Sequence, residues 1–190
     1  NNPDTDADGV LDGAEVQQGT DPNSGRPVRT GIIATVDTPG TAVDVCAINN
    51  PAIVADSGAG VSVFNVFNGM NPTIIARVDT PGSAQPVAGA GNLIAVAAGP
   101  AGLAVTDISD PPAARSIHQV SLGGAAQAVT AAGGVAYVGL STGNLVSVAL
   151  ATGTIVSQVA IPGNVQGVAL GGDHLYALTT TTLHGIALFE

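Results

Sequence analysis

From about residue 31 onward, apolar residues come in short alternating runs parted by Gly, Pro or Asn. A period of two, with Val, Ile, Ala and Thr enriched, is the pattern of strands buried on one or both faces. The first four runs are 42–48, 52–56, 60–66 and 73–80, and the next four are 85–88, 93–98, 102–108 and 115–122. Then come 126–130, 135–140, 144–150 and 154–161, and finally 165–169, 175–179 and 183–189. A single run at 31–38 stands in front of them all. The first 21 residues have no such pattern and are polar and acidic.

The runs repeat as sets. Val36-Asp37-Thr38-Pro39-Gly40 returns unchanged as Val78-Asp79-Thr80-Pro81-Gly82, a step of 42 residues. Steps of 42 and 39 then reach Val120-Ser121-Leu122-Gly123-Gly124 and Val159-Ala160-Ile161-Pro162-Gly163. Four strands in roughly 40–45 residues is the unit of a β-propeller blade. The expected fold is all-β, a small four-bladed propeller over 31–190 with blades at about 42–80, 84–122, 126–161 and 165–190. The last blade lacks a fourth strand, and the run 31–38 matches the other fourth strands, 73–80 most clearly. Its expected place is therefore beside 183–189, closing the ring and removing an exposed edge. The competing arrangement pairs 31–38 with the last blade of another molecule, as in donor-strand addition; that contact grows a filament unless it closes into a ring.

Composition fits this picture. Only 3% of residues are aromatic, there is no Trp, and Ala, Gly, Val and Ile dominate, which suits tightly spaced sheets. Charged residues are 9% of the chain and Lys is absent. The net charge of −10 is concentrated at one end. Asp4, Asp6, Asp8, Asp12, Glu15 and Asp21 lie in the first 21 residues with no base among them. The rest has eight acids against four Arg, a charge of −4. No basic stripe exists to neutralise phosphates, so nucleic acid is not an expected partner. Apolar runs are short and broken, so no membrane span is expected. Cys46 is alone, so no internal disulfide can form, and its apolar run suggests an inert thiol. The opening Asn1-Asn2-Pro3, without a signal peptide, reads as a mature or excised piece of something longer.

The acidic head carries the sharpest chemistry. Asp4-Thr5-Asp6-Ala7-Asp8-Gly9-Val10-Leu11-Asp12-Gly13-Ala14-Glu15 satisfies the D-x-D-x-D-G-x5-E calcium-loop pattern at every required place. Ca²⁺ takes six to eight oxygens, and the carboxylates of Asp4, Asp6 and Asp8 would curl round one side of it. Gly9 permits the turn that aims the Val10 carbonyl inward. Asp12 would bind directly or through water, and Glu15 would close the shell with both oxygens. Residues 1–23 form this calcium-binding unit and 24–30 a linker, whose Arg26 and Arg29 read as solvated or paired with nearby acids.

The same stretch, with Gly19-Thr20-Asp21-Pro22 after it, resembles a bacterial thrombospondin type 3 repeat. The resemblance implies an extracellular spacer rigidified by calcium. Ala7 stands where that family usually has Gly, a change expected to cost little because this side chain need not bind. Asp21 belongs either to the same shell or to an adjoining repeat. In the body, Gly102-Leu103-Ala104-Val105-Thr106-Asp107-Ile108-Ser109-Asp110-Pro111 resembles the LVIVD propeller repeat, matched more weakly by Gly60-Val61-Ser62-Val63-Phe64-Asn65-Val66. That resemblance implies a bacterial surface propeller and brings no catalytic residues with it.

No catalytic set emerges from the body. Asp37, Asp79 and Asp107 recur near strand ends, where Asp caps turns. His118, His174 and His184 lack metal-ligand spacing. Gln85, Gln127 and Gln166 occupy one equivalent place in three blades, with Val43 in the fourth, and either line a channel or pack between blades. Without Lys, Schiff-base chemistry is unavailable. The expectation is a non-enzymatic structural or adhesive module of a bacterial exterior that associates with itself or other surface proteins. A glycan- or peptide-binding propeller is the alternative, though only Tyr137 and Tyr176 could stack on sugars. A hydrolase or lyase would need acids and bases that do not assemble.

Overall fold

The computed structural model describes residues 4–7, 10–24, 32–48, 50–67, 69 and 71–188. Asp8, Gly9, most of the 24–30 linker, Gly31 and Phe189 lie outside the described residues. The chain divides into two units, Asn1–Ile33 and Ala34–Glu190.

Among its described residues the first unit holds one helix, α1 (Asp12–Gln18), with Asp12 and Glu15 in its first turn. It stops at Gly19, which has φ 74, and the Thr20 N–H then donates back to the Glu15 carbonyl at 2.8 Å. This is the left-handed glycine stop that frees a chain from a helix.

The second unit is built of antiparallel sheets. The first sheet orders β1 (Asp44–Ala47), β2 (Pro51–Ala55), β3 (Val61–Asn65) and β4 (Thr73–Val78) in sequence. The second has β5 (Val87–Ala90), β6 (Leu93–Ala97), β7 (Leu103–Asp107) and β8 (Arg115–Val120). The third has β9 (Ala126–Ala132), β10 (Val135–Leu140), β11 (Asn144–Ala149) and β12 (Thr154–Ala160). The fourth has β13 (Gly167–Gly171), β14 (His174–Leu178) and β15 (Leu183–Ala187). These are the sets expected from the repeat, with β1, β5 and β13 starting two residues late. The pairing nonetheless begins earlier, since Gln85 and Gln166 donate their N–H groups to Ala97 and Leu178.

The sheets stack through apolar side chains. Ile53, Ala55, Val61 and Val63 of the first meet Val87, Ile94, Val96 and Ala104 of the second, all within 5% of full burial. Ala95, Ala97, Leu103 and Val105 leave the second sheet's other face and meet Ala136, Val138 and Val146 of the third. Leu145 of the third joins Leu175 and Ala177 of the fourth. Each sheet thus presents one face forward and the other back. The small side chains let the sheets approach closely, where dispersion contacts are densest. The inner strands β1, β5, β9 and β13 follow one another in contact, but no core cluster among the described residues joins the fourth sheet to the first.

One expectation fails here. Residues 32–38 form no strand, and among the described residues β15 has only β14 beside it. The reason is visible at Gly40. A Cβ there would lie 2.5 Å from the Asp56 carbonyl oxygen and 2.8 Å from Ala59 Cβ, on the β2–β3 turn. Gly82 sits the same way on the β6–β7 turn, 2.6 Å from Ala98 O and 3.1 Å from Ala101. The first Val-Asp-Thr-Pro-Gly copy is therefore seated against the first sheet, as the end of β4 is seated against the second. It holds the place of a preceding sheet's last strand, and without closure of the stack it does not meet β15.

Candidate calcium site

The loop from Asp4 to Glu15 is drawn together by Thr5 and Asp12. Thr5 donates its N–H to Asp12 Oδ1 at 2.7 Å and its hydroxyl to Asp12 Oδ2 at 2.6 Å. These two donors, the hydroxyl foremost, hold the Asp12 carboxyl below its usual range. A carboxylate oxygen has two lone-pair sites, so each keeps one acceptor position for a water or a cation. Ala7 turns the loop with φ 56. A left-handed backbone strains any side chain with a Cβ, so replacing the family's Gly at this place does carry a cost, contrary to expectation.

Glu15 is only 2% exposed, while Asp4, Asp6 and Asp12 are half-buried. A buried glutamate in the first turn of a seven-residue helix suits the closing bidentate position of a calcium loop. Among the described residues no three acidic side chains stand close enough to grip an ion; Asp8, central to the set, is outside them. The hard oxygen donors and the clamped loop ends fit Ca²⁺. Val10 follows the turn, half-buried. Asp21 makes an Asx turn instead, accepting the Asn23 N–H at 3.1 Å.

The body residues singled out by sequence are scattered. His118 Nε2 lies 3.1 Å from the Ala151 carbonyl, and His174 Nδ1 lies 2.6 Å from its neighbour Asp173. His184 is half-buried on β15. Gln127 and Gln166 are exposed and Gln85 half-buried, on or just before the inner strands. Asp107 caps its turn as expected, taking the Ser109 N–H at 2.9 Å and Arg115 at 3.1 Å, and the Ser109 bonds foremost hold its pKa down. In the Val-Asp-Thr-Pro-Gly copies the turn bond comes from Thr: Thr38 and Thr80 hydroxyls donate to the Gly40 and Gly82 carbonyls at 3.3 and 2.8 Å. Cys46 is half-buried, and burial with Asp44 nearby pushes its thiol to about 11, where it is inert at neutral pH. Sequence reasoning missed Asp44. Its Oδ2 accepts the Val87 N–H at 2.9 Å, joining the inner strands of two sheets, and its only signal was an acid inside an apolar run.

Residues 4–25 match the bacterial TSP3 repeat family and residues 81–115 match the LVIVD repeat family. No curated protein matches the chain. The computationally designed Ika4 protein is similar in structure, with a TM-score of 0.71 and 9% identity over 85% of this chain and all of that one. BamB from Moraxella catarrhalis gives 0.63 and 10% over 77% of this chain and 44% of its own. Kuenenia stuttgartiensis hydrazine synthase gives 0.68 and 15% over 84% and 49%. At such identities the likeness concerns the fold alone, and the chain spans less than half the length of the two natural proteins. The class so defined is an all-β, propeller-like sheet domain preceded by a calcium-type acidic repeat.

Proposed function

We propose that this chain is a calcium-stiffened structural and adhesive module of a bacterial exterior, acting by protein–protein association rather than by catalysis. The observation that carries the reading is the order of parts: a bacterial TSP3 repeat, with its Asp4–Glu15 donor set, directly ahead of LVIVD-type sheets. Asp4, Asp6, Asp8, the Val10 carbonyl, Asp12 and Glu15 would hold the ion, which offsets repulsion among the carboxylates and so stiffens the spacer. Low charge and the scattered His and Asp residues support a non-enzymatic role. Calorimetric titration tests the site: Glu15→Gln should weaken calcium binding by about tenfold or more, since it removes a bidentate charged ligand. Unchanged binding in that variant overturns the ligand set.

A second reading draws on a groove of about 510 Å³ between the first two sheets, lined by Asn50, Asn65, Phe67, Asn92 and Ser109 among others. Phe67 is 67% exposed there, and the neighbouring amides suit a peptide backbone. Peptide- and glycan-array binding, lost on Phe67→Ala, would favour this ligand-binding role.

A further inference from the structure

Each inter-sheet core uses the same register positions. On the backward faces, Val45, Val87, Val129 and Val168 are equivalent, paired across their hairpins with Val54, Val96, Val138 and Ala177. Val87 is 5% exposed, and Val129 and Val168 pack against their cores, but Val45 is 61% exposed. On the forward faces, Val61, Leu103, Leu145 and Leu183 are equivalent, opposite Ala55, Ala97, Gly139 and Leu178. The first three are at most 3% exposed, whereas Leu183 is 64%, with Leu178 at 48% and Tyr176 at 40% beside it. The stack therefore ends in two bare faces that have the apolar character and register of its internal interfaces. One is shaped to follow a fourth sheet and the other to precede a first. An apolar face of this kind left in water marks an interaction surface.

We propose that the occupant of the fourth sheet's forward face is the first sheet of a second copy of this chain. The contact continues the three interfaces already built, with Leu183 and Leu178 taking the parts of Leu103 and Ala97, and the partner's Val45 that of Val129. The missing fourth strand comes with it. Gly40 seats residues 34–38 on the first sheet as Gly82 seats β4 on the second, and β4 is the strand that pairs with β3. Docking the partner's first sheet thus lays the partner's 34–38 beside β15, the counterpart of β3. Two such contacts, related by a two-fold axis, close the assembly. Curvature favours closure at two copies: the same arc of sheets covers only 44% of BamB and 49% of hydrazine synthase. The contact is heterologous, and only closure saves it from growing a filament.

This deepens the association reading of the chain and rests on it, while needing nothing of the calcium site. Analytical ultracentrifugation of the full chain should give twice 18.4 kDa, with and without chelator. Leu183→Asp and Val45→Asp should each weaken association by about a hundredfold or more, because a carboxylate would enter a dry face. Both side chains are exposed within one chain, so the far-UV circular dichroism of each variant should stay as in the parent. Mixing the two variants should give heterodimers through the one intact Val45–Leu183 contact of each mixed pair, tighter than either variant's own association and weaker than the parent's. A parent chain that sediments as a monomer at tens of micromolar overturns the proposal, as does an open series of masses or a mixture that stays monomeric. Loss of calcium binding in Glu15→Gln with dimers intact leaves the proposal standing and tests only the calcium site.

Discussion

Individual residues set the local limits of this protein. Ala7, at φ 56, occupies a backbone region where Gly rests without strain. Ala7→Gly should therefore tighten calcium binding several-fold, from relief of about 1 kcal/mol of strain in the turned loop. Calorimetry on the two proteins checks this, and equal or weaker binding would count against it. Asp107 belongs to the same scale. Its folded pKa lies below 3.8, so its turn contributes stability above that value and loses it as pH falls through the lowered folded pKa. Asp107→Asn should lower the unfolding midpoint near neutrality and leave it little changed at the acid end, which flattens the acid limb of the midpoint plotted against pH.

Elements are shaped by close approach more than by propensity. Gly102 opens β7 with φ +87, and a Cβ there would stand 2.2 Å from the Val120 carbonyl oxygen. Gly60 opens β3 in the same way, 2.3 Å from Val78 O. Gly102→Ala combines left-handed strain with a backbone clash and should cost about 2–4 kcal/mol, read as a lower denaturant midpoint at unchanged slope. Register shifts fall at Val63/Phe64, Val105/Thr106 and Ser147/Val148, the same place in β3, β7 and β11. Such bulges bend and twist a strand, and they recur at one place against the outer strand of all three sheets. Between elements, Asp44→Ala should remove the bond to Val87 N–H and cost about 1 kcal/mol.

At the scale of the whole molecule, the acidic head and the sheets divide into separate units. Calcium should therefore act on the head alone. Chelation should expose residues 4–24 to proteolysis while amide-exchange protection in the sheet strands stays constant. A drop in strand protection on chelation would show that the two units share stability, and would refute their independence.

The sequence alone determined what repeats and what is local. Period-two alternation punctuated by Gly and Pro located fifteen strands and their grouping, since side-chain period and turn chemistry are short-range properties. The carboxylate spacing of the head likewise marked Asp4 to Glu15 as a candidate calcium loop, because the pattern of such a loop is written within a dozen neighbouring residues. Tertiary structure decided how the ends of the stack are treated. The match between residues 31–38 and 73–80 suggested a strand closing the fourth sheet, yet identical residues take identical seats only where the neighbouring sheet is present. Gly40 found the β2–β3 turn beside it, as Gly82 found the β6–β7 turn, whereas among the described residues β15 pairs only with β14 and no core cluster joins its sheet to the first. Whether the faces of Val45 and Leu183 became core depended on that packing, because a face becomes core only when another sheet is packed against it.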